Sequence, residues 1–197
     1  MKKSIGPKKF SKLKTAVFIS GTGSNLDNLI KFSLLKRSPI KVTLVISSNS
    51  KAKGLKFAKR QKVQFKIYNL VNKTKDEKKI LSYLKDKKID LICLAGFMKI
   101  LSFNFIKKFN GKILNIHPSF LPKYKGLNTH KRVIDNKEKF SGCTVHYVSS
   151  KLDSGKIILQ KKVNVYKKDT PKTLAKRILK QEHIIYPKAL MKLFSNL

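Results

Sequence analysis

The sequence has no tryptophan, only two cysteines and only ten acidic residues in a chain of 197. It also has no apolar run near the roughly 18 residues that a membrane-spanning helix needs, which excludes a membrane protein of that type. The first 14 residues are basic but contain no apolar core, so we do not expect a secretory signal.

The two cysteines, Cys93 and Cys143, each lie inside an apolar run that is typical of a β-strand. They have no CxxC spacing and no neighbouring histidine pair, so the sequence predicts neither a zinc site nor a disulfide framework. Buried thiols of this kind favour a reducing compartment, and we expect a cytoplasmic protein.

The scarcity of acidic residues leaves a formal net charge of +36, which makes a nucleic-acid-binding protein one alternative to consider. Of the 46 basic residues only four are arginine, the side chain best suited to bidentate contacts with phosphate or guanine. The lysines are spread over almost every segment, and no aromatic-rich motif for base stacking accompanies them. We therefore expect no requirement for nucleic acid, although the charge should attract anionic substrates.

Strand-like apolar runs alternate with segments of helical periodicity through most of the chain. The runs typical of strands are 14–20, 40–47, 63–70, 89–96 and 111–117. Helical segments lie between them, at Leu26 to Leu34, 51–62, 75–88 and 103–109. This alternation predicts a single α/β domain with a Rossmann-like, mostly parallel sheet and right-handed crossovers.

The pattern changes near residue 140. Segments 141–149 and 156–165 predict antiparallel strands that are added to the sheet near the C-terminus. A last helix should begin at Thr170 and Pro171, because threonine caps helices and proline suits their first turn. We assign residues 1–14 to a basic tail and residues 15–197 to the domain.

The segment SGTGSNL, residues 20–26, joins the first strand to the first helix. Its glycines permit a tight turn, and the free N–H groups at the start of a helix can hold an anion. Ligands of parallel sheets gather at the carboxyl ends of the strands, where this segment lies. It therefore indicates a phosphate site. An ordinary strand–helix turn is the alternative, because the segment is neither a full GxGxxG nor a P-loop.

Asn115 and His117 lie two residues apart at the end of the fifth strand. Alternate residues of a strand point to the same face, so the amide and the imidazole should project side by side. An amide N–H can stabilise an oxyanion and a histidine can move protons near neutral pH, which points to acyl-type transfer. Asp153, in the segment LDSG, would raise the pKa of His117 by favouring the imidazolium, or would serve only as a turn residue.

Five segments in order resemble the phosphoribosylglycinamide formyltransferase family, the folate-dependent enzymes of purine synthesis: SGTGSNL, LAGFMKIL, NIHPSFLPKYKGLNTHKR, LDSG and QEHIIYP. The similarity covers about residues 15–193. It implies the formyltransferase fold. It also implies transfer of a formyl group from the co-substrate 10-formyltetrahydrofolate to the amine of 5-phosphoribosylglycinamide, without a metal.

The resemblance also implies roles for individual residues. Catalysis is assigned to Asn115, His117 and Asp153. Binding of phosphoribosylglycinamide, with Glu182 as the partner of the amine, is assigned to Gly23, Ser24, Asn25, Leu179, Lys180, Gln181 and Glu182. Binding of folate is assigned to Lys73, Met98, Lys99, Ile100, Leu101, Asn115, His146, Ser149, Ser150, Lys151, Leu152 and Asp153.

Two residues depart from the family pattern. Lys73 and Lys99 stand where the family commonly has arginine, which puts the contacts to the folate tail in question.

Two related activities are disfavoured. Formyltetrahydrofolate hydrolase typically has an N-terminal regulatory domain and a histidine at the position of Pro118. Methionyl-tRNA formyltransferase needs a C-terminal tRNA-binding domain, and this chain stops at Leu197. We expect packing roles for His130 and His183, small-molecule partners, no membrane, and a monomer or a homodimer.

Overall fold

The computed structural model describes residues 11–194, which form seven strands and six helices. The strands are β1 Leu13–Ile19, β2 Ile40–Ser47, β3 Gln64–Ile67, β4 Leu91–Leu94, β5 Lys112–His117, β6 Phe140–Tyr147 and β7 Ile157–Asn164. The helices are α1 Ser24–Leu34, α2 Leu55–Arg60, α3 Lys73–Asp86, α4 Phe103–Lys108, α5 Thr129–Asp135 and α6 Pro171–Phe194. Most of the predicted basic tail lies outside the described residues, and β1 begins two residues before the predicted start of the domain.

The seven strands form one sheet in the order β3-β2-β1-β4-β5-β6-β7. The first five are parallel, whereas β6 pairs antiparallel with β5, and β7 antiparallel with β6. The predicted α/β fold, with antiparallel strands added near the C-terminus, is confirmed. Because the chain passes from β1 outwards to β3 and then returns to β4, a crevice opens between the carboxyl ends of β1 and β4.

Helices cover both faces of the sheet, and the alternation along β1 explains how. Val17 and Ile19 face a core shared with α1, α2 and α6, while Ala16 and Phe18 face a second core with α3 and α4. All four side chains are fully buried. A strand covered on both faces needs a continuous apolar run, which is why the parallel strands could be recognised in the sequence.

Three of the helices begin with a side-chain cap. The side chains of Asn72, Ser102 and Thr170 accept hydrogen bonds from the backbone N–H groups of Lys75, Phe105 and Thr173 at 3.1, 3.0 and 3.2 Å. The predicted start of the last helix at Thr170 is therefore confirmed. The buried carboxylate of Glu77 in α3 accepts hydrogen bonds from the backbone N–H and the hydroxyl of Ser102. Glu77 thus ties α3 to the start of α4, directly after residues 98–101.

Helix α5 is not predicted from the sequence, because its seven residues are too few to show a clear periodicity. The bounds of α2 also differ from the prediction, since the helix covers only six residues of the predicted segment. Among residues 11–194, no helix is both long enough and apolar enough to span a bilayer.

Candidate active site

The glycine-rich segment lines one side of the crevice between β1 and β4. A cavity of about 260 Å³ opens there. It is bounded by residues 20–25 together with Ala95, Gly96, Met98 and Leu179. The structure therefore brings Gly23, Ser24, Asn25 and Leu179 together, although α6 is far from this loop in the sequence.

Asn115, His117 and Asp153 converge beside this crevice. Asn115 and His117 lie on β5, and Asp153 lies in the loop between β6 and β7. The distance from Asp153 Oδ2 to His117 Nδ1 is 3.3 Å, and that from Asp153 Oδ1 to Asn115 Nδ2 is 3.4 Å. The side-by-side projection of the amide and the imidazole that the strand alternation predicts is confirmed.

Asp153 also organises the residues around it. Its Oδ2 accepts a hydrogen bond from the backbone N–H of Gly126 at 2.8 Å. Its Oδ1 lies 3.6 Å from Nε2 of His146, which stands opposite Asn115 on β6. His146 Nδ1 is 2.8 Å from the carbonyl of Tyr147, so this nitrogen carries a proton. The carboxylate is therefore more than a turn residue, because it contacts four groups of the site.

The pKa of His117 is lowered, contrary to the rise that the Asp153 contact alone predicts. Burial is the main cause, because it disfavours the charged imidazolium. The hydrogen bond to the carbonyl of Tyr124 and the charge of Asp153 both raise the pKa, but they do not compensate for burial. His146 and Arg132 lower it further. The predicted direction of the Asp153 effect is confirmed, and burial sets the net direction of the shift.

Asp153 itself has a lowered pKa, although its burial acts to raise it. The hydrogen bonds from His146 and from the N–H of Gly126, and the nearby charge of His117, outweigh the burial. Asp153 is therefore a carboxylate at neutral pH, and it offers His117 a fixed negative charge.

Glu182 on α6 meets Asn25 at the start of α1. The amide of Asn25 donates a hydrogen bond to Glu182 Oε2 at 2.6 Å, and both side chains are buried. Burial raises the pKa of Glu182 to about 7, against a lowering effect of the Asn25 contact. The Oδ1 atom of Asn25 is buried and has no hydrogen-bond partner among the described residues. This pair places a carboxyl group that titrates near neutral pH beside the predicted phosphate loop.

The raised pKa of Glu182 predicts a pH-dependent cost to folding that Glu182→Gln removes. The folded state keeps this proton up to about pH 7 whereas the unfolded chain releases it near 4.5, so the group's contribution to stability decreases as pH rises through that window. A glutamine can also donate to Asn25 Oδ1. The difference in unfolding free energy between the variant and the wild type should therefore increase, in favour of the variant, by up to about 3 kcal/mol between about pH 5 and about pH 8. Denaturant titrations at both pH values measure this difference, and a constant difference would contradict the assignment.

The glycine-rich loop is held by a close backbone crossing. Gly23 has a φ of +74° and caps α1, and a Cβ atom on it would lie 2.4 Å from the Cα of Gly54. Met98 N and the hydroxyl of Ser48 both contact the hydroxyl of Ser20, at 2.8 and 2.6 Å. The loop conformation therefore depends on the absence of a side chain at residue 23.

Gly23→Ala should lower the unfolding free energy by at least about 1 to 2 kcal/mol, because alanine disfavours this φ and meets the backbone of Gly54. Gly21→Ala is the matched control, since a Cβ atom there has no neighbour within 4 Å. The control should change stability by no more than about 0.5 kcal/mol. Thermal or chemical unfolding of both variants checks the prediction, and equal losses would show that the crossing is not the cause.

The predicted folate-binding residues differ in their solvent exposure. Met98 and Ile100 are each 63% exposed, and Leu152 is 50% exposed. The side chain of Leu101 is buried in the core between the sheet and α3, and its role in folate binding stays a prediction. Lys73 is exposed at the start of α3 and forms no hydrogen bond or ion pair with the other site residues in the part of the chain that the structure describes.

The remaining predicted residues lie at the edges of the site. Lys99 is exposed beside Met98. Ser149 donates a hydrogen bond to the carbonyl of Lys151 at 3.0 Å, which shapes the loop of residues 149–153, and Ser150 and Lys151 are exposed there. On α6, Gln181 is half-buried and Lys180 is exposed, whereas Leu179 lines the cavity and Glu182 contacts Asn25.

Three groups close to His117 are not predicted from the sequence. The carbonyl of Tyr124 lies 2.8 Å from His117 Nε2, and Gly126 donates to Asp153. His130, for which the sequence predicts a packing role, is half-buried near His117, and its pKa is lowered mainly by burial and then by His117. Backbone groups carry no residue-type signal, so only the segment NIHPSFLPKYKGLNTHKR as a whole marks this region.

Two further observations delimit the site. Within residues 11–194, no three His, Cys, Asp or Glu side chains gather as a set of metal ligands. A larger cavity of about 640 Å³, lined by Lys12, Lys41 and Lys62 among others, lies at the amino ends of β1 to β3. There Lys12 Nζ contacts the carbonyls of Ser33 and Leu35 at the end of α1. This second cavity is at the opposite edge of the sheet from the residues described above.

Comparison with known proteins identifies the family. A family model described as Formyl transferase matches residues 13–190. The phosphoribosylglycinamide formyltransferase of Haemophilus influenzae is 42% identical over 177 residues, which cover 88% of this chain and 84% of that protein. The human trifunctional purine biosynthetic protein adenosine-3 is 43% identical over 182 residues, which cover 91% of this chain but only 18% of that much longer protein.

Solved structures agree with the sequence comparison. The crystal structure of phosphoribosylglycinamide formyltransferase from Brucella melitensis superposes with a TM-score of 0.87 at 40% identity, covering 94% of this chain and 96% of that one. The predicted formyltransferase fold is thereby confirmed. The chain belongs to the phosphoribosylglycinamide formyltransferases of the formyl transferase family.

Proposed function

We propose that this protein transfers the formyl group of 10-formyltetrahydrofolate to the amine of 5-phosphoribosylglycinamide, a step of purine biosynthesis. The observation that carries the proposal is that Asn115, His117 and Asp153 lie together beside the crevice that holds the phosphate loop and Glu182. One carboxyl edge of the sheet thus combines an anion site, an amine partner and an oxyanion site, in a chain of this family.

The acceptor is held at the end formed by α1 and α6. Residues 23–25 at the start of α1 line the cavity, and free N–H groups at a helix start bind phosphate well. Glu182, with its pKa of about 7, accepts a hydrogen bond from the amine and takes up one proton of its ammonium form, which frees the nitrogen lone pair for attack. The high net charge of +36 attracts a phosphorylated substrate over long range.

The formyl carbon is attacked at the end formed by β5. Asn115 donates an amide hydrogen to the formyl oxygen, on which negative charge develops as the amine nitrogen bonds to the carbon. His117, held at Nδ1 by Asp153 and at Nε2 by the carbonyl of Tyr124, stabilises the same charge, and the amine's proton passes to the folate nitrogen. The bond between that nitrogen and the formyl carbon then breaks. The products are the formylated amide and the deformylated folate.

The folate fits the exposed apolar side chains beside these groups. Met98, Ile100 and Leu152 are large apolar residues that are at least half exposed, and Met98 also lines the crevice. Such exposed apolar groups usually mark a binding surface, and they suit the flat ring of a folate. Lys99 supplies a positive charge at the rim for the carboxylates of the folate tail.

The same proposal covers the partners and the compartment. Both substrates are small molecules, no nucleic acid or metal takes part, and the protein acts in the cytoplasm as a monomer or a homodimer. The two cysteines are buried free thiols, which is compatible with a reducing compartment. We further propose that residues 15–197 form the catalytic domain and residues 1–14 a basic tail.

A direct assay tests the proposal. The purified protein is incubated with 10-formyltetrahydrofolate, with and without phosphoribosylglycinamide, and both products are quantified by mass spectrometry. The two products should form in equal amounts and only when the amine is present. Formate release without the amine would instead support the hydrolase alternative, and salt-sensitive RNA binding without formyl transfer would support the nucleic-acid alternative.

A further inference from the structure

The backbone of Tyr124 contacts the imidazole of His117 from the side opposite to Asp153. The Tyr124 carbonyl lies 2.8 Å from Nε2, while Asp153 Oδ2 faces Nδ1 at 3.3 Å. A carbonyl can only accept a hydrogen bond, so Nε2 carries a proton in this arrangement. The two contacts together fix the orientation of the imidazole ring.

This carbonyl is held in an unfavourable backbone conformation. Tyr124 has a φ of +58°, in the left-handed region that residues with a Cβ atom rarely adopt. Such a conformation persists only where the surrounding contacts hold it in place. The direction of the carbonyl therefore depends on what holds the tyrosine.

The side chain of Tyr124 is fixed by residues at and beyond the end of α5. Its hydroxyl donates to Glu138 Oε1 at 2.8 Å and accepts from the amide of Asn136 at 3.0 Å. The guanidinium of Arg132 lies 5.3 Å from the ring centroid and also donates to the carbonyl of Lys125 at 2.7 Å. These contacts hold the tyrosine at both its ring and its hydroxyl.

We propose that Tyr124 is a positioning residue for His117, in which the hydrogen bond from its hydroxyl to Glu138 holds the backbone carbonyl that orients the imidazole. This inference rests on the catalytic role of His117 in the proposed function. Tyr124 itself touches no substrate in this scheme. Asp153 orients one nitrogen of the ring and Tyr124 orients the other.

The chain offers a matched set of variants. Tyr124→Phe removes only the hydroxyl and keeps the ring. Glu138→Ala removes its acceptor, and it serves as the second variant if Tyr124→Phe does not fold. Lys123→Gln is the control, because Lys123 lies next to Tyr124, is exposed, and contacts the same Glu138 oxygen at 2.9 Å without touching the site.

Two readouts follow in the full-length protein. The first is the midpoint of His117 in an NMR titration, which should move to lower pH in Tyr124→Phe and Glu138→Ala, since a loosened carbonyl no longer favours the protonated ring. Asp153, His146, Arg132 and His130 also face this ring, and the variants leave all four unchanged. The second is kcat, which should fall roughly 10-fold with KM values nearly unchanged, because a misdirected catalytic group slows the chemical step.

The control and the double variant decide the outcome. Lys123→Gln should leave both readouts as in the wild type, and Tyr124→Phe combined with Glu138→Ala should be no worse than the poorer single variant. An unshifted His117 midpoint in both Tyr124→Phe and Glu138→Ala would overturn the proposal, as would an equal effect of Lys123→Gln. If the wild type showed no formyl transfer, the proposed function would fail, while the titration would still test the positioning.

Discussion

His117→Ala and Asn115→Ala are each expected to lower kcat by roughly 10²- to 10⁴-fold, with much smaller changes in the KM of either substrate. Removal of an oxyanion donor or of an acid–base group typically costs this much, because the group acts mainly in the transition state. Both side chains belong to β5 and converge on Asp153 at the crevice. Steady-state kinetics with both substrates measure the effect.

We expect the fold to tolerate both substitutions, and unfolding measurements on the variants and on a control check this expectation. Lys112→Ala is a suitable control, because Lys112 begins the same strand and its side chain is exposed. That variant should retain kcat within about twofold, and all three proteins should unfold cooperatively. Near-normal turnover in either His117→Ala or Asn115→Ala would remove that residue from the catalytic group.

Asp153→Asn is expected to lower kcat by roughly 10²- to 10⁴-fold as well, because Asp153 holds His117 in its working orientation. Asparagine adopts the φ of +45° found at this residue about as well as aspartate does. The turn should therefore survive. An amide, however, has only one acceptor oxygen, so either the N–H of Gly126 or the amide of Asn115 would lose its acceptor, and the negative charge that faces His117 would be lost.

The pH dependence of Asp153→Asn has a definite sign. The charge of Asp153 raises the pKa of His117, so its removal should move the histidine midpoint to lower pH. The limb of the kcat profile that reports His117 should move in the same direction. An active Asp153→Asn enzyme with an unmoved midpoint would reduce Asp153 to a turn residue.

The architecture could be predicted because its signals are local. The strands of the parallel sheet are short apolar runs bounded by polar turns, and the last helix is marked by Thr170 and Pro171. Alternation along β5 was sufficient to place Asn115 and His117 on the same side. These features depend on a few neighbouring residues, so the sequence alone contains them.

The remaining parts of the site depend on contacts between distant residues. Asn25 and Glu182 are separated by 157 positions in the chain, and only the packing of α1 against α6 buries them together. The net pKa shift of His117 depends on its burial, which strand patterns do not quantify. Leu101 belongs to the core because Glu77 ties α3 to the start of α4 beside it.

The few carboxylates of this chain have a consequence for its tolerance to mutation. Glutamate is usually a surface residue that can be exchanged freely, but each of the three glutamates here has a partner inside the fold. Glu77 holds the start of α4, Glu138 holds Tyr124, and Glu182 holds Asn25. The charged groups on the surface are instead mostly lysine side chains. In a saturation-mutagenesis library, the lysines should therefore form the permissive class and the glutamates the sensitive one.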